Sequence, residues 1–381
     1  MEDRDSGRGG HQDYLQAGSS TQGTDRSPGQ PWRYRDYYLH RLVAKYEILT
    51  RVGVEAEVTR QVSRFETREK DFGFKSGERY YSPITYTWPD FYNGAQSKWS
   101  KFLAFSSTLG VVLLNRSSGD WLSKRPDPDF AKQGEIALAA GARRVAFYIK
   151  TRHGAMFPGI PEAYRQKVAQ NLNVDMSAIT PYTEDFIIRS AKAVKEDYPN
   201  IPVNIFLDET SPWIDLSMQD TIIANYTRLY KRLKQELGRD TLIIINPGSN
   251  TPASMMDACD IVLSYESNAE RYLDPATKYI HPDHYKQYPS WRFWHIVHGA
   301  TEQNIDDVFA KAEELGIGHL YVTDRTFKVG AGSEDEPEEN PYDSPPSPWV
   351  ENRVRAWIKG VLPYERRIAT LEKQVKELMQ R

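Results

Sequence analysis

Eight short apolar runs recur between residues 84 and 324, and most are separated by longer segments in which apolar positions follow helical spacing. The apolar runs occupy residues 84–88, 110–115, 144–150, 203–208, 242–246, 260–266, 292–297 and 319–324. Because the runs are continuous rather than alternating, they are typical of strands buried on both faces of a parallel sheet. Three-four spacing of apolar residues predicts helices over residues 128–140, 181–197, 216–237 and 303–315.

This alternation of strands and helices has the dimensions of a closed parallel barrel, for which roughly 250 residues are typical. A doubly wound open sheet is the structural alternative. The glycine-rich phosphate turn expected of its nucleotide-binding version is missing after the first run. We therefore predict an α/β protein whose residues 79–362 form a (β/α)8 TIM-type barrel.

The two ends of the chain differ from this pattern. Residues 1–31 are rich in Gly, Ser, Gln, Asp and Arg, and we expect an arm that is disordered or ordered only against a partner. Residues 32–78 carry helical periodicity and predict an N-terminal helical extension. Residues 331–348 are acidic and proline-rich, which predicts a loop, and Ser347-Pro348 resembles the start of a closing helix. Residues 363–381 repeat apolar positions as a heptad, so they predict either a short coiled coil for self-association or an ordinary surface helix.

Composition narrows the functional classes. The net charge of −3 is spread over interspersed signs, so no basic surface for nucleic acid is expected. No run approaches the roughly 18 apolar residues needed to cross a bilayer, and the first residues lack the apolar core of a signal peptide. We therefore expect a protein made in the cytoplasm without membrane insertion. The single cysteine, Cys259, excludes an internal disulfide and is expected to be a small buried residue.

Nearly every apolar run stops in a polar or ionisable residue. Active sites of parallel barrels lie at the carboxyl ends of the strands, so these residues should converge on one pocket. Aromatic side chains close in sequence would suit the apolar faces of a sugar. The candidate substrate-binding residues are Trp88, Asn115, Lys150, His153, Trp213, Asn246, Tyr265, His298 and Asp324.

Two strand ends supply carboxylates at matching positions: Asp208 or Glu209 on the fourth strand and Glu266 on the sixth. Cleavage of a glycosidic bond needs two such groups, one to protonate the leaving oxygen and one to act as nucleophile or to activate water. Capping of the next helix, or a salt bridge, is the alternative role for the adjacent acids. Lys150 could likewise pair with Asp208, and the polar side chains listed above could cap turns.

Metal and cofactor sites are not expected. His295 and His298 lie three apart on a strand and should face opposite sides, while His281 and His284 lie in a loop without an evident third ligand. The glycines at 330–332 lack the strand-turn-helix context of a phosphate loop.

Six short stretches together carry a family resemblance: VVLLNRSSGDW, VAFYIKTRHG, NIFLDE, IIINPG, DIVLSYE and LYVTD. In this order they resemble the spherulin-4-like proteins (spherulation-specific family 4), barrel proteins that include fungal glycoside hydrolases cutting galactosamine-containing polysaccharide. The resemblance spans roughly residues 80–330 and implies a TIM barrel. It also implies that the catalytic groups are Asp208, Glu209 and Glu266.

The sequence thus predicts a glycoside hydrolase acting on an amino-sugar-containing or cell-surface polysaccharide. The arm, the leading helices and the terminal heptad suggest a homo-oligomer and a virion component, such as a phage tail protein that contacts other virion proteins. A non-catalytic structural or glycan-binding virion protein on the same barrel is the alternative hypothesis.

Overall fold

The computed structural model describes residues 68–105, 108–123, 125–276, 279–327 and 340–360. One eight-stranded sheet runs through them in the order β1-β8-β7-β6-β5-β4-β3-β2, with every neighbouring pair parallel. The strands are β1 (Tyr80–Tyr81), β2 (Val111–Leu114), β3 (Arg144–Lys150), β4 (Ile205–Asp208), β5 (Ile243–Asn246), β6 (Ile261–Asn268), β7 (Phe293–His298) and β8 (His319–Val322). A parallel bridge between Tyr81 and Leu109 joins the two edges of the sheet. The predicted (β/α)8 barrel is confirmed.

Helices connect the strands on the outside of the barrel. They are α1 (Lys98–Phe102), α2 (Pro128–Ala139), α3 (Glu162–Leu172), α4 (Glu184–Asp197), α5 (Gln219–Leu237), α6 (Ala269–Leu273) and α7 (Ile305–Leu315), and α8 (Pro348–Ile358) follows the last strand. Residues 68–72, before the first strand, are helical as well. The four predicted helices correspond to α2, α4, α5 and α7. The starts of two of them follow from capping, because the side chains of Asp127 and Thr183 accept hydrogen bonds from the first-turn amides of α2 and α4.

The prediction for the first strand is wrong. Residues 84–88 form no strand, and β1 consists of Tyr80 and Tyr81, which pair with His319 and Leu320 of β8. The chain leaves the sheet at Pro83, which has no N–H to donate to a ladder. The predicted run therefore begins just beyond the sheet and forms part of the loop that follows β1.

Aromatic side chains fill the barrel interior below the carboxyl ends of the strands. Phe206 of β4 stacks on Tyr148 of β3 with ring centroids 5.9 Å apart, and it meets Trp294 of β7 edge-on at 5.8 Å. Because β4 and β7 are not neighbours in the sheet, this contact crosses the interior. The neighbouring residue Phe147 faces outward and packs against Trp121 and Tyr198. This alternation along β3 aims Tyr148 and Lys150 toward the interior.

The described ends of the chain pack on the barrel. Arg68 makes an ion pair with Asp260 (3.5 Å) at the start of β6, and Trp357 of α8 stacks on Phe309 of α7 with ring centroids 5.7 Å apart. The predicted arm 1–31, the helices predicted before residue 68, the first half of the loop 331–348 and the heptad 363–381 lie outside the described residues. In the part of the chain that the structure describes, no helix has the length and apolar content to cross a membrane.

His319 gives a test of the packing at the base of the barrel. Its ring is fully buried, bonds Ser82 Oγ through Nδ1 (2.8 Å) and packs edge-on against Phe74, and burial lowers its pKa from 6.5 to about 3. The unfolded chain binds a proton here below pH 6.5 while the folded chain does not, so stability falls as pH drops. We expect His319→Gln to reduce the loss of unfolding free energy between pH 7 and pH 5 by about 2 kcal/mol. Urea unfolding at both pH values measures this, and equal losses in both proteins would contradict it.

Candidate active site

The carboxyl ends of β3, β4 and β5 bring three polar residues side by side. The strand register pairs Lys150 with Asp208 and Asp208 with Asn246. Residues paired across parallel strands share a face of the sheet, so the three side chains point to the same side. Asp208 and Glu266 both keep partial solvent exposure, whereas Asn246 is buried. We call this end of the barrel, with the loops that follow the strands, the mouth.

Asn246 joins the two carboxylates at the mouth. Its Nδ2 donates to Asp208 Oδ1 at 2.8 Å and to Glu266 Oε2 at 2.7 Å. These two oxygens are therefore at most 5.5 Å apart, the sum of the two distances. The amide orientation is fixed because Gly248 N donates to Asn246 Oδ1 at 2.9 Å, which leaves both Nδ2 hydrogens for the acids.

Each carboxylate also accepts a hydrogen bond from a tyrosine. Tyr148 donates to Asp208 Oδ2, and Tyr342 donates to Glu266 Oε1 at 2.5 Å. Neither tyrosine was among the site residues predicted from the sequence. Tyr148 lies two residues before Lys150 on β3, so strand alternation could have identified it. Tyr342 lies 76 residues from Glu266 with no local pattern that connects them.

The surroundings favour the protonated form of these acids. Burial is the main cause that raises the pKa of Asp208, and hydrogen bonds from Tyr148 and Asn246 oppose it. Burial, followed by the nearby charge of Asp208, raises the pKa of Glu266. Two carboxylates this close resist ionising together, so the pair favours a state with one proton and one negative charge. That state supplies an acid and a base at the same moment.

Glu209 is held differently from its neighbour. Its backbone is left-handed, with φ of 57°, and its side chain forms an ion pair with Arg152 at 3.0 Å. The backbone of this turn is tied to the end of β3, because His153 N donates to Glu209 O at 2.7 Å. Burial and the Asp208 charge raise the pKa of Glu209, while Arg152 lowers it. The salt bridge considered for the adjacent acids is thus formed by Glu209.

Four other expected residues lie at or near the ends of strands around the mouth. Lys150 lies close enough for its charge to favour ionisation of both Asp208 and Glu209. Asn115 follows β2 and is buried, and among the described residues its Oδ1 has no hydrogen-bond partner. Within the same part of the chain, Nδ1 of buried His298 and of buried His153 is also unpartnered, and burial lowers both pKa values to about 4. Neutral imidazoles and an open amide oxygen can bond hydroxyl groups.

Two tryptophans stand exposed on loops that follow strands. Trp213, beyond β4, is 41% exposed, and its Nε1 donates to Asn250 O at 2.7 Å, which fixes the plane of the ring. Trp88, beyond β1, is 46% exposed and packs edge-on against Phe130 of α2. Exposed rings held in one orientation suit stacking on a flat, partly apolar ligand.

The structure gives two expected binding residues other roles. Tyr265 precedes Glu266 on β6 and is buried behind the strand against Tyr272 and Tyr279, because neighbouring residues of a strand face opposite sides. Asp324 accepts hydrogen bonds from Ser347 N (2.9 Å) and Ser347 Oγ (2.5 Å), and so anchors the residue that precedes α8. These contacts give both side chains partners within the protein, and their role in binding stays a prediction.

The described residues contain no group of three or more His, Cys, Asp or Glu that could hold a metal ion. His281 and His295 come within 3.4 Å of each other through Nε2, but Tyr272, Ser264 and Tyr279 also surround His295 within hydrogen-bonding distance.

Comparison with solved structures finds similar chains at low sequence identity. The crystal structure of Aspergillus clavatus Sph3 in complex with GalNAc is 15% identical, with a TM-score of 0.48 over 75% of this chain and 98% of that chain. A GH18 chitinase from Pseudoalteromonas aurantia is 11% identical, with a TM-score of 0.37 over 64% of this chain and 93% of that one. Xylanase 10B from Thermotoga maritima is 10% identical, with a TM-score of 0.33 over 79% and 98%. No curated protein matches the chain.

The family comparison covers the whole barrel. The model of spherulation-specific family 4 matches residues 79–352, which include every strand, the two bridged carboxylates and Tyr342. This span is well over half of the chain and agrees with the resemblance carried by the short motifs. The chain is a member of spherulation-specific family 4.

Proposed function

We propose that this protein is a glycoside hydrolase whose catalytic pair is Asp208 and Glu266. The observation that carries the proposal is the Asn246 amide, which bonds both carboxylates at the open end of the barrel. Both acids stay partly exposed, so a substrate can reach them. Within the described residues neither acid forms a salt bridge, whereas the neighbouring Glu209 is paired with Arg152.

The spacing of the pair supports a mechanism that retains the configuration of the sugar. Retaining enzymes place their carboxyl groups about 5–5.5 Å apart, whereas inverting enzymes need roughly 6.5–9.5 Å to admit a water molecule. The facing oxygens of Asp208 and Glu266 lie no more than 5.5 Å apart, which is shorter than the spacing of inverting enzymes. One group would protonate the leaving oxygen while the other stabilises or attacks the anomeric carbon.

The remaining polar groups of the mouth would bind the sugar. We assign contacts with sugar hydroxyls to Asn115, His153, His298 and Lys150. We assign stacking on the sugar faces to Trp88 and Trp213. Glu209, although adjacent to Asp208, would act through its ion pair with Arg152 and keep the turn after β4 in place. Asn246 would position the catalytic acids rather than bind a substrate hydroxyl.

Membership of the family supports a polysaccharide that contains amino sugars, the substrate class that the resemblance implies. The cluster of acids at the mouth also suits a cationic amine. A phage-tail or other virion role, with homo-oligomers formed through the terminal segments, is a further hypothesis that rests on residues outside the described ranges. The non-catalytic glycan-binding protein remains the competing hypothesis, and turnover separates the two.

Removing either catalytic carboxylate should abolish turnover. We expect Asp208→Asn and Glu266→Gln each to lower kcat by about 10³-fold, because acid-base catalysis typically contributes 10²–10⁴. Glu209→Gln should lower kcat by no more than about tenfold, since Glu209 is proposed only to hold the turn after β4 in place. Reducing-sugar release from galactosamine-containing polysaccharide measures the rates.

Glu270→Gln is the matched control, because it makes the same change on an exposed residue of α6 four positions beyond Glu266. It should keep the full rate. Binding of polysaccharide without release of reducing ends by the wild-type protein would favour the glycan-binding hypothesis. A loss with Glu209→Gln as large as that with Asp208→Asn would move the catalytic role to Glu209.

Ionised Glu266 should also destabilise the folded protein. Because the pKa of Glu266 is raised on folding, the unfolded chain loses this proton at lower pH than the folded chain, so stability falls as pH rises above about 4.5. Glu266→Gln removes the buried charge, and we expect its Tm at pH 8 to exceed that of wild type by about 1–3 °C. The gain should vanish near pH 4. Thermal scans of wild type, Glu266→Gln and Glu270→Gln measure this difference. A lower Tm for Glu266→Gln than for wild type at pH 8 would contradict the prediction that ionised Glu266 destabilises the folded protein.

A further inference from the structure

Tyr342 reaches the catalytic pair from a part of the chain outside the repeating strands and helices. Two described side chains donate to Glu266: Asn246 at 2.7 Å and Tyr342 at 2.5 Å. They bind different oxygens of the carboxylate, so together they fix its plane. Glu266 therefore has its orientation set by one residue of β5 and one of the segment that precedes α8.

Backbone contacts hold this segment on the rim of the barrel. The carbonyl of Tyr342 accepts hydrogen bonds from Tyr86 N (3.0 Å) and from Thr85 Oγ1 (3.2 Å) in the loop after β1. The next carbonyl, of Asp343, accepts from Lys98 Nζ at 2.7 Å. Further along, Ser347 is bonded to Asp324 at the end of β8. The position of Tyr342 is thus defined from both sides of the segment.

The ring of Tyr342 is fixed as firmly as its backbone. It is buried, meets Tyr86 edge-on with centroids 5.2 Å apart, and meets Phe327 edge-on at 5.6 Å. Such edge-to-face contacts favour one ring orientation. The hydroxyl is therefore held against Glu266 without the loss of side-chain freedom that an exposed tyrosine would incur on bonding it.

We propose that Tyr342 is a positioning residue of the catalytic pair, whose hydroxyl orients the Glu266 carboxyl and stabilises its ionised form. For turnover, the proposal rests on the glycoside hydrolase function proposed above. It adds to that function a means of setting which of the two acids carries the proton. Each acid accepts a hydrogen bond from its own tyrosine, Glu266 from Tyr342 and Asp208 from Tyr148.

The charges around Glu266 determine the sign of the effect. Asp208 on β4 disfavours ionisation of Glu266 and so does burial, whereas Tyr342 and Asn246 favour it. Tyr86 also faces this pair, and its hydroxyl stays protonated because burial and both acids raise its pKa. Lys150 acts on Asp208 rather than directly on Glu266. Burial and the Asp208 charge raise the pKa of Glu266, and the hydrogen bond from Tyr342 lowers it. Removal of the Tyr342 hydroxyl should therefore raise this pKa.

Tyr342→Phe tests the proposal, since it removes the hydroxyl and keeps the ring packing. We expect the limb of the kcat/KM pH profile that belongs to Glu266 to move up by about one pH unit, the size of one lost hydrogen bond to a charged group. At the wild-type optimum kcat should fall about tenfold while KM stays within about twofold. If the alkaline limb moves, Glu266 is the acid; if the acidic limb moves, it is the base or nucleophile. Loss of activity with both limbs unchanged would overturn the proposal.

Tyr230→Phe is the matched control. Tyr230 also donates to a buried carboxylate, Asp260 Oδ1 at 2.9 Å, but Asp260 lies at the start of β6, away from Glu266. This variant should leave both limbs of the profile in place. A shift of equal size in Tyr230→Phe would show a general effect of losing a buried tyrosine hydroxyl and would overturn the assignment.

A readout that needs no substrate separates the proposal from the proposed function. Carbon-detected NMR titration of the side-chain carboxyls follows Glu266 directly, with Glu266→Gln to identify its resonance. The resonance should titrate about one pH unit higher in Tyr342→Phe than in wild type. If no polysaccharide is hydrolysed but this shift occurs, the positioning role stands and the hydrolase proposal fails. If hydrolysis occurs but the resonance titrates at the same pH, the positioning role fails.

Discussion

One amide group organises the mouth of this barrel. Asn246 Nδ2 carries two hydrogens, and each goes to a different carboxylate, Asp208 on one side and Glu266 on the other. A hydroxyl in its place could donate only once, and a carboxylate could not donate at all when ionised. The amide can do this because Gly248 N occupies its oxygen and prevents the group from turning round. The distance between the acids, and hence the chemistry they can perform, depends on this single orientation.

The same region separates two acids that are neighbours in sequence. Asp208 is the last residue of β4 and faces the interior, while Glu209 adopts a left-handed backbone and pairs with Arg152. The backbones of Arg152 and His153 are left-handed too. A hydrogen bond from His153 N to Glu209 O joins the turn after β3 to the turn after β4. Strained backbone of this kind costs roughly 1–3 kcal/mol per residue and persists where the surroundings impose it. Here it directs one acid to the mouth and pairs the other with an arginine.

The sequence predicted most of the barrel because its strands are buried on both faces and therefore appear as continuous apolar runs. The first strand was predicted wrongly because it forms no such run. Two residues, Tyr80 and Tyr81, are too few to form a recognisable run, and the more apolar stretch beyond Pro83 drew the assignment instead. The proline was visible in the sequence and marked the true end of the ladder. The different placement of Asp208 and Glu209 had no such marker, because it depends on backbone angles at the strand end.

Tyr342 shows where prediction from local pattern stops. A hydrogen bond across 76 residues leaves no periodicity in the chain, and the segment around it looks like an acidic, proline-rich linker. Its contacts nevertheless reach the loops or ends of β1, β6 and β8. This segment leads directly into α8, whose Trp357 stacks on Phe309 of α7. The segment before α8 therefore supplies one of the two side-chain hydrogen bonds that orient Glu266, and Asn246 of β5 supplies the other.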